Sequence, residues 1–371
     1  MDDKEYMLRA IELAKRGVGW VNPNPMVGAV IVKDGRIIGE GYHRRCGELH
    51  AERNALASLT EPAEGATLYV TLEPCCHYGR TAPCTEAIIE HKLARVVIGS
   101  RDPNPLVSGK GAAILRQHGV EVVEDFMRAE CDTLNPVFFH YITTGRPYVV
   151  MKYAMTLDGK IASHTGASKW ITGETARAHV QSLRNRYSAI MAGIGTVLSD
   201  DPMLNCRLEG GHNPVRVILD SGLRIPAASK ICRTAAEQDT IVVCAKRNED
   251  RIRELESLGI RVFCLPGEDG RVDLRALMTR LGEEKLDSVL IEGGGKVHEA
   301  ALRAGIVNHV CAYIAPKLMG GEAALTPIEG LGAPTPDMAA KLANLKITDL
   351  NEDLLLEYDV TEGLNNVYWN R

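Results

Sequence analysis

No stretch of this 371-residue sequence approaches the roughly 20 consecutive apolar residues that a membrane-spanning helix requires. The opening residues, Met1 to Tyr6, also lack the apolar core of a secretory signal. The sequence therefore predicts a cytoplasmic protein that has no membrane partner.

The chain also lacks an excess of positive charge, since 43 Lys and Arg residues face 48 Asp and Glu residues, for a formal net charge of -5. This balance provides no global attraction to a polyanion, so we expect small-molecule ligands and no nucleic-acid partner. Repeats and low-complexity segments are absent as well. The length exceeds the usual size of one hydrophobic core and predicts two domains.

The ten cysteines do not form the dense framework of a small disulfide-rich domain, because most are scattered singly along a long chain. We interpret most of them as reduced core residues. The exception is the group Cys75, Cys76 and Cys84, which lies within reach of His50.

Alternating patterns of strand and helix predict an α/β fold in both halves. An Asp-Gly turn joins apolar runs at 26–32 and 37–41, which predicts a hairpin. Strand and helix patterns then alternate, and we predict that a single helix near 127–143 closes the first domain.

Turn formers and Pro147 precede a new apolar strand, which places the domain boundary between residues 146 and 147. The predicted domains are thus 1–146 and 147–371. In the second domain the tail alternates along 354–360 without intervening helices, which indicates antiparallel strands at a sheet edge.

A metal site is predicted in the first domain. His50-Ala51-Glu52 opens a helix, Cys75 follows a strand, and Cys84 begins the next helix. One imidazole and two thiolates suit zinc, and three protein ligands leave one position open, as in catalytic sites. Zinc lowers the pKa of bound water from about 15.7 to about 7, and Glu52 is placed to carry the proton. The His-x-Glu and Pro-Cys pattern is typical of zinc nucleobase deaminases, in which the second cysteine normally follows after two residues.

Two alternatives remain open for this group. Each residue alone could be an ordinary core or surface residue. A purely structural zinc is the stronger rival, because Cys76 or His77 could complete the coordination, although Glu52 would then have no task.

The motifs around this group resemble a known family, the bacterial bifunctional riboflavin-biosynthesis deaminase/reductase. They are Asn22-Pro23-Asn24-Pro25-x-Val27-Gly28, Gly41-x-His43, Gly47-x-x-His50-Ala51-Glu52, Glu73-Pro74-Cys75, His77-x-Gly79-Arg80-Thr81 and Asp102-Pro103-Asn104-Pro105. The long spacing between Cys75 and Cys84 is also similar to that family. Cys46 and Ala82 depart from it, where alanine and proline would be expected.

The resemblance implies a cytidine-deaminase-like α/β/α domain with one zinc ion. It would deaminate 2,5-diamino-6-(5-phosphoribosylamino)pyrimidin-4(3H)-one at the ring carbon that bears the 2-amino group. By the same resemblance Asn24 and His43 would hold the base, and His77 and Arg80 would hold the sugar phosphate. A guanidinium can bind phosphate through two hydrogen bonds, although Arg80 could equally be a solvated turn residue.

The second domain lacks the Gly-x-Gly-x-x-Gly fingerprint of a Rossmann fold. Instead, Glu292-Gly293-Gly294-Gly295-Lys296 passes from a strand into a helix, whose N-terminus suits a pyrophosphate. Further motifs resemble the reductase half of the same family, whose fold is similar to dihydrofolate reductase. They are Tyr153-Ala154-Met155-Thr156-Leu157-Asp158-Gly159-Lys160, Ser168-Lys169-Trp170-Ile171-Thr172-Gly173 and Gly195-Thr196-Val197-Leu198-x-Asp200-Asp201-Pro202-x-Leu204.

That resemblance implies NADPH-dependent reduction of the ribosyl side chain to ribityl, and a homodimer or homotetramer. The substrate contacts it implies are Ser168, Arg184, Leu204, Arg207 and Glu292. The cofactor positions are Ala154, Trp170, Thr196, Asp200, Ser221, Gly294, Gly295, Lys296, Val297, His298, Glu299 and Ala300. Lys152 is a possible proton donor or, equally, a strand lysine that extends to solvent. Trp170 could also be ordinary core.

Two other functions compete with a bifunctional enzyme. One is a nucleic-acid-editing deaminase whose second half binds RNA, which the acidic net charge disfavours. The other is a zinc-stabilised scaffold that senses pyridine nucleotide, which would leave Glu52 without a role.

Overall fold

The computed structural model describes residues 2–78 and 82–361. The chain divides into two compact units, Met1–Gly145 and Arg146–Arg371. Gly145 ends the last helix of the first unit in the left-handed conformation, with φ 69°, which glycine adopts without strain. The next strand begins at Tyr148.

The first unit has a five-stranded sheet in the order β2-β1-β3-β4-β5. Its strands are β1 (Gly28–Lys33), β2 (Arg36–Tyr42), β3 (Thr67–Leu72), β4 (Arg95–Ser100) and β5 (Glu121–Val123). Its helices are α1 (Asp3–Lys15), α2 (Ala51–Ala57), α3 (Cys84–Glu90), α4 (Lys110–Gln117), α5 (Arg128–Asp132) and α6 (Pro136–Thr144). The strands β3, β4 and β5 run parallel, whereas β1 is antiparallel to both of its neighbours.

Successive residues of β1 and β3 pack into two different hydrophobic cores. Ile31 and Leu68 pack with residues of α2, α3 and α4, whereas Val30 and Tyr69 pack with residues of α1. The sheet therefore lies between two helical layers, as the resemblance implied. Gly28 permits the close approach of α1, because a Cβ atom there would lie 1.9 Å from the carbonyl oxygen of Ala10.

Two helices differ from the sequence-based expectation. The predicted single helix near 127–143 is wrong, since α5 ends at Asp132 and α6 begins at Pro136. Proline cannot continue a helix but is favoured at its first position, so Pro136 separates the two. The helix α1 was not predicted, although Asp2 and Glu5 form a capping box at its start.

The second unit has a nine-stranded sheet in the order β10-β9-β8-β7-β11-β6-β12-β14-β13. Its strands are β6 (Tyr148–Thr156), β7 (Ala189–Gly193), β8 (Val215–Leu219), β9 (Thr240–Cys244), β10 (Arg261–Cys264), β11 (Ser288–Ile291), β12 (His309–Ala315), β13 (Leu342–Leu350) and β14 (Asp353–Val360). Its helices are α7 (Glu174–Arg186), α8 (Ile194–Asp200), α9 (Lys230–Arg233), α10 (Glu249–Ser257), α11 (Leu274–Glu283) and α12 (Gly295–Arg303).

The strands from β10 to β12 are parallel and largely buried, as in sheets that helices cover. The tail differs, because β14 is antiparallel to both β12 and β13. The prediction of antiparallel strands at the sheet edge is thus confirmed. Within residues 2–78 and 82–361, no helix is long and apolar enough to cross a bilayer.

Candidate active sites

Three side chains of the first unit converge on one point. The Nδ1 atom of His50 lies 3.4 Å from the Sγ atom of Cys75 and 3.4 Å from that of Cys84. The fold brings them together because His50 precedes α2, Cys75 follows β3, and Cys84 opens α3. One nitrogen and two sulfurs at these separations are a donor set that suits a zinc ion.

The two thiols are hydrogen-bonded to each other, and their pKa values shift in opposite directions. The hydrogen bond with Cys84 lowers the pKa of Cys75 despite burial, and His50 strengthens the effect. The same hydrogen bond, with burial and the nearby Glu52, raises the pKa of Cys84. Cys75 also accepts the backbone N–H of Cys84. The group thus holds one thiolate by itself, and a cation would favour the second.

Glu52 lies in the first turn of α2 and is 4% exposed. Burial raises its pKa, and the charge of Cys75 adds to this shift. Burial of this kind favours the protonated form of a carboxyl group. Its position beside the sulfur ligands, on the helix that follows His50, fits proton transfer at this site.

Neither Cys76 nor His77 joins the ligand group within the described part of the chain. The Cys76 thiol instead donates to the carbonyl oxygen of Leu106, at 3.6 Å. The Nδ1 atom of His77 is buried and has no hydrogen-bond partner among residues 2–78 and 82–361. Among the described residues no fourth side chain joins the group of His50, Cys75 and Cys84, which disfavours the structural-zinc alternative.

Asn24 and His43 lie beside this centre. The Asn24 amide donates to Nε2 of His43 at 3.1 Å, while Nδ1 lies 3.0 Å from the carbonyl oxygen of Leu49. Burial lowers the pKa of His43, so the ring is neutral. Its ring centroid lies 5.5 Å from that of His50 in an edge-on arrangement. Arg80, the predicted phosphate contact, lies outside the described residues.

Arg53 is a contact that the sequence did not indicate. It lies on α2 next to Glu52, and its guanidinium donates to the carbonyl oxygens of Ala82 and Pro83. These carbonyls immediately precede Cys84. The interaction connects the segment that carries Cys84 with the helix that follows His50. A sequence motif does not reveal a hydrogen bond to the backbone.

The second unit contains a buried cluster of charges at the carboxyl end of β11. The Nε and Nη2 atoms of Arg184 lie 2.7 and 3.0 Å from the two carboxylate oxygens of Glu292. The Nζ atom of Lys152 lies 3.4 Å from the same carboxylate. Although burial opposes ionisation, Lys152 and Arg184 lower the pKa of Glu292 to about 2. The carboxylate is therefore charged at any physiological pH.

The loop after α8 borders this cluster. Arg184 donates to the carbonyl oxygen of Asn205 at 3.0 Å. The amide of Gln238 donates to the carbonyl oxygen of Leu204, whose side chain is buried in the core at 3% exposure. The side chain of Leu204 therefore packs in the core, and its carbonyl oxygen is bound by Gln238.

Another glutamine, Gln181, holds the next part of this loop by accepting the backbone N–H of Arg207. The Arg207 side chain is exposed. The sequence did not indicate Gln181 or Gln238, because glutamines that hold a loop backbone follow no spacing rule.

A glycine-lined cradle lies between β11 and α12. Gly294 precedes α12 in an extended conformation and makes no side-chain cap. A Cβ atom on Gly294 would meet nothing closer than the Thr196 hydroxyl at 4.0 Å. The first N–H groups of α12 face this space, which suits an anionic group such as a pyrophosphate. His298 on the same helix is buried, and its Nδ1 atom lies 2.8 Å from the carbonyl oxygen of Pro327.

The remaining predicted cofactor and substrate positions vary in exposure. Trp170 is 63% exposed and stacks against the guanidinium of Arg177, so the core alternative for this residue is wrong. Glu299 is ion-paired with Arg303. Those that are half-buried are Ala154, Ser168, Thr196, Ser221, Val297 and Ala300. Those that are exposed are Asp200 and Lys296.

Two family models match the chain. Residues 1–100 match the cytidine and deoxycytidylate deaminase zinc-binding region, and residues 147–356 match the RibD C-terminal domain. Riboflavin biosynthesis protein RibD of Actinobacillus pleuropneumoniae is 55% identical over 98% of this chain and 97% of its own length. The protein of the same name from Escherichia coli is 42% identical over 87% of this chain and 90% of its own length.

Solved structures agree with these relatives. Acinetobacter baumannii RibD is 39% identical and aligns with a TM-score of 0.87 over 97% of this chain and 99% of that one. A diaminohydroxyphosphoribosylaminopyrimidine deaminase/5-amino-6-(5-phosphoribosylamino)uracil reductase from Thermotoga maritima is 41% identical, with a TM-score of 0.83 over 96% and 98% of the two chains. With a zinc-binding deaminase region and a RibD reductase region in one polypeptide, the chain belongs to the RibD family of riboflavin biosynthesis proteins.

Proposed function

We propose that the protein performs two consecutive steps of riboflavin biosynthesis on one phosphorylated pyrimidine. The first unit hydrolyses the 2-amino group of 2,5-diamino-6-(5-phosphoribosylamino)pyrimidin-4(3H)-one and releases ammonia. The second unit reduces the ribosyl side chain with NADPH, which gives 5-amino-6-(5-phosphoribitylamino)uracil. The observation that carries the proposal is the buried Glu52 beside the ligand trio of His50, Cys75 and Cys84.

Glu52 is the proton carrier of the first step. A zinc ion held by the trio supplies Lewis acidity, which makes water a nucleophile near neutral pH. Glu52 accepts a proton from the attacking water and delivers protons to the ring nitrogen and to the departing amine. Its pKa, raised by burial, lets it exist in both protonation states during the cycle. The C–N bond to the amine breaks as the C–O bond becomes a carbonyl.

Four residues orient the substrate of this step. Asn24 and the neutral His43 hold the base, and His77 and Arg80 hold the sugar phosphate. The orphaned Nδ1 atom of His77 supports its role, because a buried polar atom without a partner is costly unless a ligand satisfies it. The contacts of both ring nitrogens hold His43 in one neutral tautomer, which favours binding of an uncharged pyrimidine ring.

In the second step Glu292 and Lys152 act at the sugar's C1' carbon, which is reduced in its ring-opened imine form. Bound NADPH supplies the hydride. The carboxylate of Glu292 stabilises positive charge on the imine, and Lys152 supplies the proton that the nitrogen gains. Arg184 and Arg207 bind the phosphate, and Ser168 and the backbone at Leu204 complete the contacts.

The cradle at Gly294 and α12 binds the cofactor pyrophosphate, and the neighbouring predicted positions surround the rest of the nucleotide. They are Ala154, Trp170, Thr196, Asp200, Ser221, Gly295, Lys296, Val297, His298, Glu299 and Ala300. The open space above Gly294 supports this assignment. We further propose that the protein is cytoplasmic and assembles as a homodimer or homotetramer.

The decisive experiment follows the diaminopyrimidinone ribosyl phosphate by mass spectrometry with the zinc-loaded protein. Without NADPH, one product that has exchanged an amine for an oxygen should accumulate. After NADPH is added, that product should gain two hydrogens. Reduction in the absence of deamination, or deamination of a tRNA in place of the small substrate, would contradict the proposal.

A further inference from the structure

A second group of metal-ligand side chains lies far along the sequence from the deaminase trio. His309 and Cys311 are on β12, and Glu357 is on the antiparallel neighbour β14. Cys311 pairs with Glu357 in the register of the two strands, and His309 is two residues away, so all three side chains leave the same face of the sheet. Neither family membership nor the proposed reactions give this group a role.

The ligand atoms of the three residues are close enough to share one ion. The imidazole nitrogen of His309, the Cys311 sulfur and a Glu357 carboxylate oxygen all lie within 4.8 Å of one another. The His309 Nε2 atom is 3.8 Å from Oε1 of Glu357, which is too far for a hydrogen bond. The corresponding separations in the deaminase trio are 3.4 Å. The ligand atoms of both groups are therefore close enough to surround one cation.

Two neighbouring residues, Asp359 and Lys346, orient the side chains of His309 and Glu357. Asp359 lies 2.8 Å from Nδ1 of His309, which directs the lone pair of Nε2 toward Glu357. Lys346 donates to Oε2 of Glu357 at 2.7 Å and leaves Oε1 toward His309. A carboxylate that fixes the far nitrogen of a histidine is the usual support of a metal-bound imidazole.

Asp359 is in turn held by an irregular part of β13. The register between β13 and β14 shifts between Ala343 and Lys346. Within this bulge Asn344 adopts φ 56° and donates to the second oxygen of Asp359 at 3.0 Å. Bulges commonly redirect a side chain near functional sites. The three ligands and the residues that support them thus come from three strands, β12, β13 and β14.

We propose that His309, Cys311 and Glu357 form a second binding site for a divalent transition-metal cation of the zinc class. Nitrogen, thiolate and carboxylate are all ligands of zinc. The charges balance, because the thiolate and the carboxylate together offset the two charges of the ion. Binding displaces one proton from the Cys311 thiol and one from the His309 ring, and both pass to solvent.

The competing arrangement is a metal-free ion pair. Although burial opposes the charged ring, the neighbouring Cys311, Glu357 and Asp359 raise the pKa of His309 to about 10. The imidazolium would then be neutralised by the two carboxylates, and Cys311 would remain a thiol. This arrangement predicts one zinc ion per chain, whereas the second site predicts two.

The test measures zinc per chain by elemental mass spectrometry on the full-length protein after removal of free metal. We expect two equivalents in the unaltered chain and one in Cys311→Ser or Glu357→Gln. The matched control Cys264→Ser, a cysteine outside both groups, should retain two equivalents. One equivalent in the unaltered chain would overturn the proposal, as would two equivalents that Cys311→Ser and Glu357→Gln leave unchanged.

A second measurement isolates the new site. The double substitution of Cys75→Ser and Cys84→Ser removes both thiolates of the first site, so any thiolate-to-cobalt absorption after Co²⁺ loading must come from another cysteine. We expect this absorption, and we expect it to disappear when Cys311→Ser is added. A double-substituted chain that unfolds cooperatively but shows no such absorption refutes the site. Because the unaltered chain alone distinguishes one equivalent from two, a variant that fails to fold does not remove the test.

Discussion

The guanidinium of Arg53 donates a hydrogen bond to the carbonyl oxygen of Pro83, with an Nη2–oxygen distance of 2.9 Å. Arg53 belongs to the helix that His50 precedes, and Pro83 is the residue immediately before Cys84. The segment that carries Cys84 is therefore hydrogen-bonded to the helix that follows His50, and both residues belong to the candidate ligand trio.

Replacing Arg53 with methionine is expected to weaken zinc binding. The apolar stem of the side chain is retained, whereas the segment that carries Cys84 loses two backbone contacts. Outer-shell changes of this kind typically reduce metal affinity about 10- to 100-fold. Chelator competition measures the affinity, and Arg116→Met, which removes an exposed arginine, is the control. Equal affinities for the two variants would show that Arg53 does not position the ligands.

Glu52→Gln should abolish deamination without loss of the metal. The amide has the shape of the carboxyl group but cannot carry the proton, and general acid–base catalysis is worth about 10²- to 10⁴-fold in rate. Ammonia release measures the loss. Reduction of preformed uracil substrate by the same preparation should be unchanged. A variant that deaminates at the normal rate would exclude Glu52 as the proton carrier.

Glu292→Gln should disable reduction and destabilise the second unit. It leaves Lys152 and Arg184 as two buried cations without their shared carboxylate, and the loss of one partner of a buried ion pair costs about 3–5 kcal/mol. Denaturant unfolding measures the stability, and NADPH oxidation measures the activity. The exposed Glu256→Gln, on α10, provides the control. Normal NADPH oxidation by the variant would contradict the role of Glu292 at the imine.

Two neighbouring glycines should respond differently to alanine. A Cβ atom on Gly294 enters open space, so Gly294→Ala should fold normally but weaken NADPH binding about fivefold, the equivalent of about 1 kcal/mol of lost contact. A Cβ atom on Gly293 would lie 2.9 Å from the Cβ atom of Val297, so Gly293→Ala should reduce stability by about 1–3 kcal/mol. Nucleotide titration and thermal unfolding separate the two effects. Unimpaired nucleotide binding by Gly294→Ala would argue against the cradle.

Asp102 gives a prediction for pH. Burial raises its pKa from 3.8 to about 6, although the N–H of Asn104 opposes the shift. The folded state therefore holds the proton more tightly than the unfolded state, and stability is lost as the pH rises from 3.8 to about 6. Asp102→Asn removes this loss and should stabilise the first unit by about 2–3 kcal/mol at neutral pH. Urea unfolding at about pH 4.5 and pH 7.5 should show that the gain shrinks in acid, and a gain that is equal at both values would contradict the assignment.

Much of the fold was predictable because its signals are local. The apolar runs 26–32 and 37–41, which the Asp-Gly turn joins, correspond to the antiparallel pair β1 and β2. The errors arose where two local signals compete. The helical pattern near 127–143 concealed the break at Pro136, and the polar start of α1 concealed a helix whose capping box was visible at Asp2 and Glu5.

The candidate sites were predictable where chemistry is confined to side chains in motifs. His50, Glu52, Cys75 and Cys84 lie in such motifs and converge in the structure. The contacts of Arg53, Gln181 and Gln238 could not be predicted, because they bind backbone carbonyls or N–H groups of distant loops. Their partners are defined only after the chain has folded, and almost any loop sequence offers the same groups.

The cluster of Lys152, Arg184 and Glu292 contains two cations and one carboxylate and so retains one unit of positive charge in a site largely closed to water. An inhibitor directed at this pocket should therefore carry a compact anion. Uncharged mimics of the sugar would leave that charge unmatched. The electrostatic imbalance thus defines a starting point for ligand design that the shape of the pocket alone would not provide.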